Sequence, residues 1–295
     1  MPEHRAWTRG RGYSIPGHEA STRSRGPVTR VHPQRSSVVR RKGGIVEGKI
    51  TGTTWLRELR GVAEPRVVLV CFPPGGGSAS AYRPLAQRLP ADVAVFAVQY
   101  PGRQDRLGEA VLPDIPALAD RVTADLLTWG PRPLALFGHS MGATVAFETA
   151  RRLEAAERGP VHLFVSGRIA PDGPYSGAVH RGSDAELIAE LERLANDPAS
   201  VAILRSEPGL ADLVLPAVRA DYQAVETYVY ETGKPLHCNV SALLGDADPT
   251  VTPEQAERWR DHTEGEFELT TFPGRHFYLD EKVPEVADFV TARLR

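Results

Sequence analysis

Gly138-His139-Ser140-Met141-Gly142 is the stretch on which the fold turns. It fits G-x-S-x-G, a pattern that a glycine-rich chain also produces by chance, so its flanks decide what it means. Before it, Pro133-Leu-Ala-Leu-Phe137 is a short apolar run, the signature of a fully buried parallel strand. After it, Ala143 to Leu153 carries apolar residues at helical spacing. Strand, sharp turn and helix are the context of a nucleophile elbow. Its two glycines let the backbone fold tightly around a strained serine, whose hydroxyl stands clear of the sheet edge above a helix N-terminus.

Outward from the elbow, strands and helices alternate. Strands are expected at Arg66 to Phe72, Ala94 to Gln99, Val161 to Ser166, Val240 to Gly245 and Phe267 to Phe272. Helices are expected at Ala81 to Leu89, Ile115 to Trp129 and Val283 to Leu294. That alternation implies an α/β class: a mostly parallel central sheet with helices on both faces. With the elbow it is the pattern of the α/β-hydrolase fold. From Ser183 to about Tyr230 no strand pattern occurs. Ala185 to Leu194 is amphipathic behind a candidate N-cap, Ser183, and further helical pattern from Leu210 towards Tyr228 is interrupted at Pro216. This helical insert, 183–230, is a candidate lid over the strand ends, where open α/β sheets bind ligands; a structural flap with no gating role fits the same pattern.

The chain has 295 residues, enough for one large α/β domain, and 41% are hydrophobic. No apolar run reaches the roughly 18 residues of a membrane span. Cys71 and Cys238 sit in or beside strand-like runs with no metal-ligand spacing, as buried reduced thiols of a cytoplasmic protein do. The net charge of −2 is uneven. Residues 1–49 hold 11 Lys/Arg against Glu3, Glu19 and Glu47; taken from totals of 35 and 37, this leaves 24 basic and 34 acidic residues, about −10, in the remainder. Residues 1–48 are rich in Arg, Ser, Gly and Pro without apolar periodicity, which predicts a disordered basic extension ahead of a domain at 49–295. A nucleic-acid tail or a transit peptide shares that composition, but no amphipathic face or apolar signal core is visible, which favours an extension without such a role.

In this fold the triad follows the order Ser, Asp/Glu, His. Nine histidines are present. His276 lies just beyond the strand ending at Phe272 and the turn Pro273-Gly274, on a loop from which a base reaches the serine. His262 sits in a charged helical stretch and is expected to be solvated. The acid should follow the strand ending near Gly245, where Gly245-Asp-Ala-Asp-Pro249 offers two carboxylates. Asp248 precedes Pro249, which disfavours helix, and is preferred; Asp246 is the alternative, with a turn-forming role as its other explanation. The oxyanion donors are expected to be the backbone N–H of Met141, next to the nucleophile, and one from Pro73-Pro-Gly-Gly-Gly-Ser78. Glycines there let backbone amides approach a ligand closely; a plain tight turn is the competing reading of that loop. The loop lacks the Lys-Ser/Thr ending of a phosphate-binding loop, so no nucleotide, cofactor or metal is expected.

From about Arg66 to Arg295 the chain resembles the type II thioesterases of polyketide and nonribosomal-peptide synthesis. The resemblance rests on Cys71-Phe-Pro-Pro-Gly-Gly-Gly-Ser-Ala-Ser80, Gln99-Tyr-Pro-Gly-Arg103, Gly138-His-Ser-Met-Gly142 and Gly274-Arg-His-Phe277. Ser166-Gly-Arg168, Ala170-Pro171 and Leu215-Pro-Ala-Val-Arg-Ala-Asp221 add to it. The family usually carries a bulkier pair where Pro74 and Gly75 stand; of that pair the proline has no N–H to give, so the resemblance implies Gly75 as the second oxyanion donor. The resemblance implies hydrolysis of acyl groups from the phosphopantetheine arms of acyl or peptidyl carrier proteins, clearing stalled or mis-primed units. Ser140, Asp248 and His276 would be the triad, with no nucleic acid or membrane as partner. Carrier proteins are usually acidic, and Arg83, Arg103 and Arg106 are candidates for a basic docking patch. A general carboxylesterase or lipase, a non-catalytic binding protein of the same fold, and a domain cut from a larger synthase are the competing readings.

Overall fold

A computed structural model describes residues 52–173 and 177–295. The extension over residues 1–48 lies outside them. The Val- and Leu-rich runs become strands: β1 (Leu56–Arg60), β2 (Val67–Phe72), β3 (Val93–Val98), β4 (Leu134–His139), β5 (His162–Ser166), β6 (Asn239–Gly245) and β7 (Phe267–Phe272). They form one sheet in the order β1-β3-β2-β4-β5-β6-β7. β1 pairs antiparallel with β3, and every other pairing is parallel. β1 was not expected, for a physical reason. Leu56-Arg-Glu-Leu-Arg60 carries three charges and buries only Leu56 fully, as suits an edge strand rather than a two-sided apolar run.

Helices α1 (Arg83–Arg88), α2 (Ile115–Leu127), α3 (Met141–Ala155), α4 (Asp184–Leu194), α5 (Pro198–Ser206), α6 (Pro208–Glu226), α7 (Pro253–Glu257), α8 (Tyr278–Glu281) and α9 (Val283–Arg293) fill the connections. The strand period of two sorts β2 cleanly. Val68, Val70 and Phe72 face a core shared with α2 and α3; Val67, Leu69 and Cys71 face one shared with α1 and α9. Each such side chain, fully buried, contributes about 1.5–3 kcal/mol.

α4, α5 and α6 lie together between β5 and β6. They carry a small core of their own built on Leu187, Ile188, Leu204, Leu215 and Val218. Ser183 caps α4 in a reciprocal box with Glu186. α6 continues through Pro216, where an interruption was expected. Pro216 stands on the exposed face, while its neighbours Leu215 and Ala217 are buried. The carbonyl that loses its helical donor, four residues back at exposed Asp212, meets water there.

Parallel register then sets the site. Phe72 pairs with Gly138, His139 with Ser166, Ser166 with Leu243, and Gly245 with Phe272. Strand ends in step bring the segments after β2, β4, β5, β6 and β7 to one edge of the sheet. Among the described residues no helix is long and apolar enough to cross a membrane.

Candidate active site

Ser140 occupies the elbow between β4 and α3 with φ 54° and ψ −121°. A non-glycine residue held there costs on the order of 1–3 kcal/mol, which the surrounding structure must offset. The flanking glycines are steric necessities. A β-carbon at Gly138 would stand 2.3 Å from the Gly142 carbonyl oxygen, and one at Gly142 would stand 2.0 Å from that of Phe72. The Ser140 N–H donates to the Ser166 carbonyl at 2.8 Å, fastening the elbow to β5.

His276 is buried on the loop after β7, with Nδ1 2.9 Å from Asp248 Oδ2. The other Asp248 oxygen accepts from the Thr250 N–H at 2.8 Å and the Thr250 hydroxyl at 2.7 Å. Burial works to raise the Asp248 pKa, but the His276 bond and charge and the two Thr250 bonds outweigh it and hold the carboxyl below its ordinary value. Asp246 does something else. It is exposed, and Oδ1 accepts from the Gly274 N–H at 3.0 Å, pinning the turn that carries His276. The structure thus gives the carboxylate contact to Asp248 and the turn to Asp246. Ser140, Met141, Gly75, Thr250 and His276 line one cavity of about 350 Å³, with Leu191, Leu194, Asp221 and Val225 above.

In the loop after β2, the Gly76 N–H donates to Asp221 Oδ2 at 2.7 Å and the Gly77 N–H to the Pro74 carbonyl at 2.9 Å. Those two amides are therefore engaged by α6 and within the loop. Gly75 lines the cavity.

Three groups that sequence reasoning missed form a chain that starts beside the imidazole. The ring of His139 lies 4.9 Å from that of His276. His139 Nδ1 is 2.9 Å from Ser166 Oγ, which is 2.7 Å from the Tyr278 hydroxyl. Burial, and secondarily the nearby His276, push the His139 pKa well below its ordinary value, so it stays neutral. Ser166 stood in a quoted motif, but nothing in its spacing pointed to Tyr278.

The basic patch needs correction. Arg83 is exposed at the start of α1, whereas Arg103 and Arg106 are buried and paired. Arg106 donates to the Gln99 carbonyl at 2.7 Å and to Glu109 at 2.6 Å, and lies over the Trp55 ring at 4.3 Å. Arg103 holds Asp221 of α6 with two bonds, 2.6 and 2.8 Å. Burial alone would lower the Arg103 pKa, but the charge and bonds of Asp221 raise it on balance. Losing one partner of such a pair typically costs about 3–5 kcal/mol. Neither guanidinium is presented to a docking protein. His262 is a second correction. It is buried, not solvated, with Nε2 3.0 Å from Asp172 Oδ1 and its ring edge-on to Phe147 and Tyr230. Its charged neighbours in sequence hid an apolar inner face.

At the base of the helical insert, the Glu226 carboxylate accepts the N–H groups of Val179 (2.8 Å) and His180 (3.0 Å) and contacts the His180 ring.

Residues 68–294 match the family model described as thioesterase domain. A probable cadicidin biosynthesis thioesterase of Streptomyces griseus is 41% identical over 266 residues, covering 90% of this chain and 73% of its own. Thioesterase PikA5 of Streptomyces venezuelae is 40% identical over 242 residues, 81% of this chain and 85% of that one. The solved structure of BorB, a type II thioesterase from the borrelidin biosynthetic cluster, is 44% identical. It superposes with a TM-score of 0.76 and covers 83% of this chain and 100% of that one. An elbow serine and a paired histidine facing one cavity, on a chain that such relatives match over 81–90% of its length, have one assignment: the protein belongs to the thioesterase domain family, among the type II thioesterases.

Proposed function

We propose that the protein hydrolyses acyl thioesters carried on the phosphopantetheine arms of acyl or peptidyl carrier proteins, clearing stalled or mis-primed units from polyketide or nonribosomal-peptide synthases. Ser140 is the nucleophile, His276 the base and Asp248 its orienting carboxylate. The Ser140 oxygen attacks the thioester carbonyl while its proton passes to His276 Nε2, the ring nitrogen not engaged by Asp248. The N–H groups of Met141 and Gly75 receive the developing oxyanion. The C–S bond breaks, the pantetheine sulfur leaves with the proton held by His276, and water then releases the acid from Ser140. A thiol of pKa about 8.5 leaves readily, so this step demands little of the acid.

The observation that supports this most directly is the 2.9 Å His276–Asp248 bond beside a cavity that Ser140 also lines. The names of the relatives supply the biosynthetic setting. Of the candidate docking residues, exposed Arg83 remains available to an acidic carrier. We place the reaction in the cytoplasm, where two unpaired buried thiols are at home. The test is turnover of acyl-pantetheine and acyl-carrier thioesters by Ser140→Ala. Loss of a triad nucleophile should lower kcat by roughly 10⁴-fold or more; activity within tenfold of wild type overturns the mechanism. Simple oxygen esters turned over as fast as carrier thioesters would favour a carboxylesterase instead.

A further inference from the structure

We propose that Asp221, on the lid helix α6, and Arg103 are positioning residues that hold the oxyanion loop in its working shape, so that the loop is correctly set only while the lid is seated. This rests on the reading of Gly75 as an oxyanion donor.

Asp221 is 3% exposed and belongs to the lid, yet its bonds run to the sheet edge. Oδ2 accepts from both the Gly76 N–H at 2.7 Å and Arg103 Nη1 at 2.6 Å, and Oδ1 accepts from Arg103 Nη2 at 2.8 Å. Arg103 Nη1 also donates to the Gly77 carbonyl at 3.1 Å. The peptide entering Gly76 and the peptide leaving Gly77 are thus gripped from two directions. Gly76 has φ +73°, a conformation that favours glycine, so this turn has no side chain of its own to anchor it. A β-carbon at Gly75 would stand 3.5 Å from that of Asp221, which puts the carboxylate stem against the proposed donor. Arg103 is itself fixed, because its carbonyl accepts from Gln99 Nε2 at 3.2 Å, and Gln99 Oε1 accepts from the Ala79 N–H at 2.9 Å at the far end of the same loop.

Lifting α6 at Asp221 therefore removes the partner of a buried guanidinium and of the Gly76 N–H together. The Gly76 N–H would be left without an acceptor, and Arg103, though still bonded to the Gly77 and Pro101 carbonyls, would lose its charge partner in a closed site, the costly case for buried polar groups. The loop then relaxes, and a donor displaced by about 1 Å loses on the order of 100-fold in rate. The two motifs that carry these residues, Gln99-Tyr-Pro-Gly-Arg103 and Leu215-Pro-Ala-Val-Arg-Ala-Asp221, have no other role in the chemistry proposed above.

The experiment compares wild type, Asp221→Asn and Asp221→Ala with two inhibitors built on the same acyl-pantetheine. A trifluoromethyl ketone adds to Ser140 and places an oxyanion in the hole; a thioether cannot. Asp221→Ala should lower kcat about 100-fold with KM changed less than about threefold. The ketone should weaken in parallel with kcat/KM, while thioether binding stays within about threefold of wild type. Asp221→Asn keeps an acceptor for the Gly76 N–H and should fall between. It carries the test if the alanine variant does not fold. Unchanged kcat in Asp221→Ala, or equal weakening of ketone and thioether, overturns the proposal. Failure of the ketone to add to the wild-type enzyme would instead sink the catalytic reading beneath it.

Discussion

The imidazoles of His139 and His276 lie with centroids 4.9 Å apart and planes tilted by 42°. The proposed base is therefore backed by a second imidazole that burial keeps uncharged. A charged ring there would oppose the imidazolium that forms on His276 during catalysis, so neutrality at 139 is part of the site's electrostatics.

Neutral buried histidines make the fold sensitive to acid. His162 is a clear case. Burial, with Arg293 adding and Glu268 opposing, lowers its pKa to about 4, while Nε2 bonds Ser241 Oγ at 2.8 Å. Its folded pKa lies below the unfolded value, so the unfolded chain binds the proton first. The stability it contributes is whole above about pH 6.5 and drains away as pH falls towards 4, on the order of 3 kcal/mol in all. Urea unfolding at pH 7.5 and pH 5 should show His162→Gln losing less stability over that interval than wild type. Equal losses would show that the proton goes elsewhere.

Asp248 and Asp246 separate cleanly by substitution. Asp248→Asn removes the carboxylate that orients Nδ1 of His276 and should lower kcat by about 10⁴-fold. Asp246→Asn keeps an oxygen that accepts the Gly274 N–H and should change kcat by less than about threefold. Steady-state hydrolysis of one acyl-pantetheine decides it, and a reversed pattern would reassign the acid.

Gly142→Ala tests the packing of the elbow against β2. Its methyl would stand 2.0 Å from a backbone oxygen, which no rotamer relieves. A loss of at least about 3 kcal/mol, seen as a lowered Tm together with lost labelling of Ser140 by a phosphonate, is expected. A variant as stable and as reactive as wild type would mean the elbow is built differently.

Arg83 and Arg106 should behave as opposites. Arg83→Glu is expected to raise KM about three- to tenfold for a carrier-bound substrate and leave free acyl-pantetheine unaffected. Arg106→Ala should lower stability by about 2 kcal/mol, because it strips Gln99 and Trp55 of a buried partner, without selective loss of the carrier substrate. Carrier turnover by Arg83→Glu that matches wild type would remove this docking role.

Strands β2, β3, β4, β5 and β6 and the parallel class were legible because two-sided burial writes itself as largely apolar runs separated by helices, whereas the order of the strands in the sheet was not read. Ser140 and His276 could be located because each follows a strand end in the expected order. What stayed hidden was whatever depends on partners distant in sequence. Arg103 reads as a surface cation until Asp221, 118 residues later, folds over it. His262 reads as solvated because Arg258, Arg260 and Asp261 surround it, although it and Trp259 turn inward beside Phe147. β1 hid for the complementary reason, since an edge strand has no second covered face to advertise.

The grip of Glu226 on Val179 and His180 bears on how such enzymes diversify. It clips the entry and exit of the insert together at its root, and the insert encloses apolar residues of its own. A segment cut just before Val179 and just after Glu226 is thus a self-closing cassette. Relatives could exchange it to reshape the ceiling of the acyl chamber while the sheet stays untouched, provided the incoming piece still brings an acid to the place of Asp221.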